Sequence, residues 1–269
     1  MSVIAKAMEL LSFFSVERPE LGLSEIRAMA KRDKATTYRH LEALEDAGLL
    51  EQNPVTKAYR IGPAVLRLAH LRETATPRKS GVLAVLPGLA DRTGETAHAS
   101  ILEGAQLRKL AANESSRHST RVVMDDETYP LHATASGAAV LGFGGAELFN
   151  SAIRDMAAFT EFTPTNAKAL EQIVAATRVS GFGVSAQGFE RGVYGIAVPL
   201  FDQSGQVAGA LSVASVASRM TPALEKTIQT ELTSAARAIT KSWGGSIPDA
   251  LETLWASTLA RATEPEPAE

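Results

Sequence analysis

The feature that most constrains the fold of this chain is the stretch from Asp33 to Gly62, which reads DKATTYRHLEALEDAGLLEQNPVTKAYRIG. Asp33 can cap a helix on which Leu41 and Leu44 share one face, and Gly48 stands where a helix end takes a left-handed backbone. Two extended runs, GLLEQN and KAYRIG, follow and are joined by the turn residues PVT. A helix rich in polar donors therefore leads directly into a two-stranded ribbon.

Two further helices are predicted before this stretch. Apolar residues recur at three- and four-residue spacing over residues 3–15, which is typical of an amphipathic helix. After the turn VERPELG, Ser24 can cap a second helix over SEIRAMAKR, with Ile26, Met29 and Ala30 facing inward. Three short helices followed by a two-stranded ribbon are the parts of a winged helix-turn-helix, which places a recognition helix in the major groove of DNA.

The polar side of the third helix carries the candidate DNA contacts. If Leu41 and Leu44 are buried, the donors on the other side are free to meet base edges and phosphates. Taken singly, Lys34 and Arg39 could be ordinary solvated charges, and the two threonines could be residues near a helix cap. The predicted DNA-contacting residues are Lys34, Thr36, Thr37, Tyr38, Arg39 and His40 on the helix, with Lys57 and Arg60 on or near the ribbon.

Charge and composition place any DNA contact at the N-terminal end. Residues 1–78 carry 12 Lys and Arg against 10 Asp and Glu, whereas the remainder carries 15 against 20. The absence of cysteine excludes disulfides, thiolate metal sites and a cysteine nucleophile. No apolar run approaches the ~18–20 residues that span a bilayer, and the N-terminus lacks the pattern of a signal peptide. We therefore expect a cytoplasmic protein with no membrane association.

A helix and a linker separate this region from a larger second domain. The stretch PAVLRLAHLRE predicts a short apolar helix after Pro63, either a core helix of the first domain or a connector, and TATPRKSG has the composition of a linker. The predicted boundaries are 1–62 for the winged helix-turn-helix, 63–79 for the linker helix, 80–245 for the second domain, and 246–269 for a C-terminal extension with one more helix and a disordered acidic end.

The second domain is predicted to be α+β with an antiparallel sheet. A helix through GVLAVLPGLADRTG should be kinked by Pro87, because proline removes one backbone donor. Thr221 and Pro222 start a long amphipathic helix, and Gly181 ends a helix that begins at Thr165. The strand candidates are residues 96–101, 106–112, 121–124, 192–201 and 207–215, the last two joined as a hairpin by DQSGQ.

Motifs in both parts of the chain point to one family. In the first part they are Glu25-Ile26, Lys34, Thr36, Arg39, Leu41, Leu44, Gly48, Tyr59 and Gly62. In the second part they are YPLHATASGAAVLGF and GFGVSAQGFERGVYGIAVPLFDQSGQVAGALSVASVASRMT. Together they resemble the isocitrate-lyase-regulator (IclR) family of bacterial transcription factors. The chain departs from the family pattern at Ala35, His40, Ala138 and Gly188, where the family usually has serine, leucine, lysine and glutamate.

The resemblance implies a GAF-like second domain whose pocket holds a small effector, commonly a carboxylate-bearing metabolite. A helix N-terminus suits such an anion because its first amides are unpaired. Small residues on the strands leave room for the ligand, although they could instead only allow tight sheet packing. The implied contacts are Ala135 and Ser136 at a helix start, Ser185 in a loop, and Val193, Gly195, Ser212 and Ala214 on the hairpin, with the Ser212 hydroxyl orienting the ligand.

Additional hydrogen-bond donors near this pocket can be interpreted either as effector contacts or as structural residues. His98 and Arg121 are candidate effector contacts, since arginine can hold a carboxylate with two hydrogen bonds, or they belong to solvated or structural positions. His132 is expected to order its loop. Ser136 beside these histidines could be imagined as a nucleophile with a base, but no G-x-S-x-G motif, paired carboxylates or metal-ligand spacing supports an enzyme. The sequence thus predicts no catalytic residue, no metal site and no cofactor.

The combined prediction is a ligand-responsive one-component regulator, a repressor of a catabolic operon. Its predicted partners are a palindromic double-stranded DNA operator, a small organic or aromatic carboxylate effector, and further copies of itself as a homodimer or dimer of dimers. Two alternatives stay open: a metabolite-processing enzyme with a vestigial DNA-binding domain, and a DNA-binding protein that responds to no ligand.

Overall fold

The computed structural model describes residues 2–15, 18–75 and 78–261. The chain forms two compact units that divide between residues 77 and 78. The disordered end predicted for the C-terminal extension falls in 262–269, outside the described residues. In the part of the chain that is described, no helix combines the length and the apolar character needed to cross a lipid bilayer.

The first unit is a three-helix body with a small antiparallel sheet, and the predicted winged helix-turn-helix is confirmed. Its core includes Leu10, Ile26, Leu41, Leu44 and Tyr59, all buried. The sheet has three strands, since a short first strand pairs with the ribbon. The elements are α1 (Val3–Leu11), β1 (Glu20–Leu21), α2 (Leu23–Ala30), α3 (Lys34–Asp46), β2 (Leu50–Gln52), β3 (Tyr59–Ile61) and α4 (Ala64–Ala75), with sheet order β1–β3–β2.

Local signals explain most boundaries of this unit. A side-chain oxygen of Asp33 accepts a hydrogen bond from the backbone N–H of Thr36 at 2.8 Å, which caps α3 as predicted. Gly48 has φ +69°, the left-handed conformation expected just after that helix. The prediction for Ser24 is wrong. The N-cap of α2 is Gly22, whose backbone N–H donates to the Glu25 carboxylate at 2.8 Å, so the helix begins before Ser24.

Apolar side chains on α1 and α4 stay exposed in the single chain. The predicted amphipathic α1 buries Leu10, but Ile4 remains 76% exposed. On α4, Leu66 is 76% exposed and Leu71 is 52% exposed. Exposed aliphatic residues that repeat on neighbouring helix turns are typical of surfaces that pack against a partner.

The second unit is built on a six-stranded antiparallel sheet, so the predicted α+β class is confirmed. Hydrophobic cores lie on both faces of the sheet, because successive side chains of a strand point to opposite faces. Its strands are β4 (Thr96–Glu103), β5 (Gln106–Asn113), β6 (Thr128–Tyr129), β7 (Gly183–Ala186), β8 (Val193–Phe201) and β9 (Val207–Val216), in the order β6–β5–β4–β9–β8–β7. The helices are α5 (Arg78–Leu83), α6 (Leu86–Thr93), α7 (Ala135–Phe143), α8 (Ala146–Ala152), α9 (Ala167–Ser180), α10 (Pro222–Ser242) and α11 (Asp249–Arg261).

The hairpin of β8 and β9 and the capped start of α10 match the sequence predictions. Thr221 accepts a hydrogen bond from the Leu224 N–H at 3.2 Å, and Pro222 occupies the first helical turn. Gly181 has φ +82° and ends α9. The predicted start at Thr165 is wrong, because Asn166 is the N-cap and accepts from the Ala169 N–H at 3.0 Å.

Two other predictions for this unit are corrected. The helix around Pro87 is broken instead of kinked: α5 ends at Leu83 and α6 begins at Leu86, which places the proline in a first turn, where its missing N–H costs nothing. Residues 121–124 form no strand. Two of their carbonyls accept from side chains: Val122 O from Thr96 Oγ1 at 2.6 Å and Met124 O from Lys109 Nζ at 2.8 Å.

Candidate functional site

The third helix presents its cationic side to solvent. Leu41 and Leu44 are buried, whereas Lys34 and Arg39 are exposed and Tyr38 is 48% exposed. A capped helix start followed by exposed cations is the arrangement with which helices meet phosphates and base edges. Lys34, Tyr38 and Arg39 therefore all lie on the part of the helix surface that is free of the buried leucines, and Thr36 is half-buried.

Two of the predicted DNA contacts are buried instead. The Thr37 side chain is fully buried and donates to the Asp33 carbonyl at 2.9 Å, and His40 is only 9% exposed. Positions 37, 40, 41 and 44 follow the i, i+3, i+4, i+7 spacing of one helix face, so His40 lies on the leucine side. Burial, together with the charges of Arg32 and Arg39, lowers the pKa of His40. Both residues are core positions of the unit.

Of the two cationic side chains predicted on the ribbon, Arg60 forms ion pairs and Lys57 is exposed to solvent. The Arg60 guanidinium pairs with Glu51 at 2.6 Å and Glu20 at 3.5 Å, and these contacts raise its pKa. Lys57 is exposed at the turn between β2 and β3, where its backbone has φ +59°. Of the two predicted ribbon contacts, Lys57 is thus the better placed to meet a phosphate, because Arg60 is already neutralised by its neighbours.

Eight of the nine predicted effector contacts line one cavity of the second unit. The strand register explains their proximity: Ser185 pairs with Gly195, Gly195 with Ala214, and His98 with Ser212. The cavity, which we call the inner cavity, has a volume of about 60 Å³. The predicted residues lining it are His98, Ala135, Ser136, Ser185, Val193, Gly195, Ser212 and Ala214.

Three details of the predicted pocket are corrected. Arg121 does not line the inner cavity and forms an ion pair with Glu114. Ser185 lies on β7 instead of in a loop, and its hydroxyl donates to the Ala133 carbonyl at 2.8 Å. The Ser212 hydroxyl donates to the Ile196 carbonyl at 2.9 Å. Its proton is therefore used within the sheet, and its oxygen can only accept a hydrogen bond from another partner.

Polar atoms without partners converge on the inner cavity. His98 Nδ1, the Tyr129 hydroxyl and Ser136 Oγ are buried and have no hydrogen-bond partner among the described residues. The first turn of α7, capped by Thr134, also reaches this cavity, and the first amides of a helix have no acceptor within it. Buried polar groups are rarely left unpaired in native proteins, so this cluster indicates a site for a polar ligand.

The inner cavity has a largely apolar lining with a few polar groups and no cationic one among the described residues. Asp126 and Glu190 are exposed residues of its lining, and no described lysine or arginine lines it. Burial lowers the pKa of His98 to about 4, with Lys109 acting in the same direction, so the imidazole is neutral at pH 7. Burial raises the pKa of Tyr129, which keeps its hydroxyl protonated and able to donate. The cavity thus offers neutral donors and a helix N-terminus.

The depressed pKa of His98 predicts a pH-dependent stability. As the pH falls below about 6.5, His98 binds a proton in the unfolded chain, whereas in the folded chain it stays neutral until about pH 4. Acidification therefore lowers the free energy of unfolding. Between pH 7.5 and 5.0 the wild type should lose about 2 kcal/mol more than His98→Gln in urea unfolding of the second unit. His40 is present in both proteins, so its contribution cancels. Equal losses in the two proteins would show that His98 is accessible to protons.

Sequence reasoning missed several residues of the inner cavity, chiefly Tyr129 and Phe189. Tyr129 is 3% exposed on β6, and its ring lies 5.4 Å from that of His98. It stands at the head of the YPLHATASG motif, which was the only signal for it. Phe189 follows β7 and comes close to Tyr129 only through the tertiary fold. In the described residues no group of three or more histidine, aspartate or glutamate side chains could hold a metal ion.

These features define a class of protein: a winged helix-turn-helix unit followed by an α+β unit that holds a small cavity with unpartnered polar groups. Residues 3–54 match the family model "IclR helix-turn-helix domain", and residues 70–241 match "Bacterial transcriptional regulator IclR C-terminal". The chain therefore belongs to the IclR family, and it is a DNA-binding transcriptional regulator.

Individual relatives agree with this family. The HTH-type transcriptional regulator XynR of Escherichia coli (strain K12) is 29% identical over 252 residues, which cover 90% of this chain and 96% of XynR. A solved structure from Silicibacter sp. TM1040, assigned to the IclR transcriptional regulators, is 40% identical with a TM-score of 0.82 and covers 93% of this chain and 99% of its own. An IclR homologue from Microbacterium hydrocarbonoxydans, complexed with 4-hydroxybenzoate, shares the fold at 23% identity and a TM-score of 0.55, covering 90% and 99%.

Proposed function

We propose that this regulator represses a catabolic operon by binding a palindromic operator, and that a small organic acid in the inner cavity releases it. In this proposal residues 1–62 bind DNA, residues 63–79 connect the domains and residues 80–245 hold the effector. Because the target is chromosomal DNA, the proposed site of action is the cytoplasm. The named relatives are regulators, which favours a binding role for the cavity over a catalytic one.

The observation that carries the proposed effector site is the cluster of unpartnered polar atoms around the inner cavity. His98 Nδ1, the Tyr129 hydroxyl and Ser136 Oγ are buried without partners. The first turn of α7, in which Thr134 caps the Gly137 amide, adds amides that have no acceptor within the helix. A carboxylate would satisfy the amides and the hydroxyl donors together. Asp126 and Glu190 would repel a second negative charge, so a singly charged acid suits the cavity best. The 4-hydroxybenzoate complex of a protein with this fold supports a carboxylate as the chemical class of the effector, without fixing its size.

The experiment that tests the proposal measures operator binding with and without effector. Single-charge organic acids are screened by the thermal shift of the full chain, and the acid with the largest shift is then added to a titration of a DNA fragment selected by the protein. The acid should lower DNA affinity, because only a ligand that prefers one state can shift the equilibrium. An increase in affinity would reverse the proposed sign of regulation, and an unchanged affinity would separate the cavity from DNA binding.

A substitution that fills the inner cavity should abolish this response. Ala214 is 4% exposed and lines the cavity, so Ala214→Leu places three more carbon atoms where the ligand binds. We expect no thermal shift with the acid and unchanged affinity for DNA, with a stability loss of about 1–3 kcal/mol from overpacking. Ala256→Leu, at an exposed position of α11, is the matched control and should respond like wild type. A normal shift in Ala214→Leu would move the effector to another site.

We also propose that α1 and α4 form a homodimer interface, which two such dimers would extend to a dimer of dimers. The exposed Ile4, Leu66 and Leu71 support this proposal, because burying them against a second copy would remove apolar surface from water. Leu66→Glu should shift the chain toward monomer in sedimentation experiments and weaken binding to a two-half-site operator. Val179→Glu, which places the same charge at an exposed position of α9 in the second unit, should do neither. An unchanged association state of Leu66→Glu would exclude α4 from the interface.

A further inference from the structure

Two spaces in the second unit share one wall. The first is the inner cavity of about 60 Å³. The second, which we call the outer groove, has a volume of about 510 Å³ and includes the polar residues Gln106, His132 and Asp155 in its lining. Asp126, Tyr129 and Phe189 line both spaces, so these three residues form the boundary between them.

The two aromatic rings of the shared wall are packed edge to face. The ring of Phe189 lies 6.4 Å from that of Tyr129 at an interplanar angle of 85°, and 4.9 Å from that of Phe159 at 62°. Aromatic pairs prefer this geometry, which stabilises them beyond the burial of their area. Phe189 is therefore held from both sides, by a buried ring and by a ring of the outer groove.

The backbone that carries Phe189 is also anchored. Thr160 Oγ1 donates to the Gln187 carbonyl at 2.7 Å, and Thr163 Oγ1 donates to the Gly188 carbonyl at 2.6 Å. A Cβ atom at Gly188 would lie 2.8 Å from the Ala133 carbonyl oxygen, so this segment sits directly against its neighbour. These contacts fix the position of the wall and argue against a ring that swings aside with a loose loop.

The volume of the inner cavity limits what it can hold. This volume is less than half of the ~150 Å³ of an engineered buried cavity that binds one benzene molecule. A benzoate ring with its carboxylate exceeds this size. Val122 and Val193, which line the inner cavity, also line a surface depression of the same unit.

We propose that Phe189 sets the maximum length of the effector. It closes the inner cavity toward the outer groove, so the wild type responds to short acids. Removal of its ring joins the two spaces and admits aromatic acids, whose far end would meet the polar residues of the outer groove. This inference rests on the effector site proposed above and adds a size limit and the residue that imposes it.

The test compares a graded series of acids on the full chain. Acetate, propionate, their 2-hydroxy derivatives, benzoate and 4-hydroxybenzoate are each titrated by calorimetry and thermal shift into wild type, Phe189→Ala and Phe189→Leu. The matched control is Phe162→Ala, which removes an exposed phenyl ring that lines neither space. Phe189→Leu keeps an apolar side chain against Tyr129 and serves if the alanine variant is unstable.

Wild type and the control should bind one or more short acids and bind the aromatic acids about tenfold or more weakly, a difference within the range that pocket size alone produces. Both Phe189 variants should gain about tenfold or more for the aromatic acids, with affinity for the short acids little changed. Wild-type preference for an aromatic acid, or an unaltered preference in the variants, would overturn the size limit while leaving the effector site in place. If no acid binds to any of the four proteins, the proposed effector site itself fails.

Discussion

Arg39→Ala should weaken binding to every DNA duplex by about a hundredfold in a symmetric dimer. Arg39 is exposed on α3, as Lys34 is. A charged hydrogen bond to phosphate contributes about 1.5 kcal/mol to the binding free energy, and a symmetric dimer would lose two such bonds. Because a phosphate contact carries no sequence information, the loss should be similar for selected operators and for random duplexes. The slope of log affinity against log salt should fall by about one for each arginine removed.

The matched control for this prediction is Lys168→Ala, which deletes one exposed positive charge from the second unit. Fluorescence anisotropy of labelled duplexes at several salt concentrations gives both affinity and slope. Lys168→Ala should leave the slope unchanged. A loss confined to one sequence would indicate that Arg39 reads a base instead of a phosphate, and no loss would remove Arg39 from the DNA surface.

Trp255→Ala should destabilise the second unit by about 3–5 kcal/mol. Trp255 is completely buried on α11, and its indole Nε1 donates to the Gly181 carbonyl at 2.8 Å. Its ring lies 6.3 Å from that of Phe182, and the Arg237 guanidinium lies 5.7 Å from its centroid. The substitution leaves a large cavity and an unpaired carbonyl at the turn that leads into β7, the strand that carries Ser185.

Urea unfolding followed by circular dichroism measures this loss. Trp255→Phe keeps most of the packing but lacks the N–H donor, so it should lose less than the alanine variant. The transition of the first unit should stay where it is in both variants, because Trp255 belongs to the other unit. If Trp255→Ala lowered the free energy of unfolding by less than about 1 kcal/mol, α11 would not contribute to the stability of the second unit, because removing a fully buried indole costs more than that.

Local chemistry predicted much of the fold because it acts within a few residues. Asp33, Gly48, Thr221 and Gly181 mark helix ends as expected, since a cap needs only a side chain and one nearby amide, and a left-handed residue needs only a glycine. The hairpin of β8 and β9 was equally readable from alternation and its turn.

Apart from two helix caps placed one or two residues too early or too late, the errors occurred where the tertiary structure chooses between local options. His40 could lie on either side of α3 by composition, and only the packing of the unit puts it on the leucine side. Residues 121–124 have strand-like side chains, but β5 pairs with Thr128 and Tyr129 instead. Tyr129 and Phe189 meet across distant parts of the chain, so no local pattern could reveal the wall between the two spaces.

The most direct test of the central claim, that the polar side of α3 lies against DNA, uses the absence of native cysteine. Ala35→Cys puts a single thiol at an exposed position of α3, and Ala256→Cys puts one on α11. The rate of maleimide labelling is measured with and without saturating duplex. In dilute buffer, bound DNA should reduce the labelling rate at position 35 almost to zero, and added salt should restore that rate. The labelling rate at position 256 should be the same under all these conditions. Equal labelling of position 35 with and without bound DNA would contradict the account.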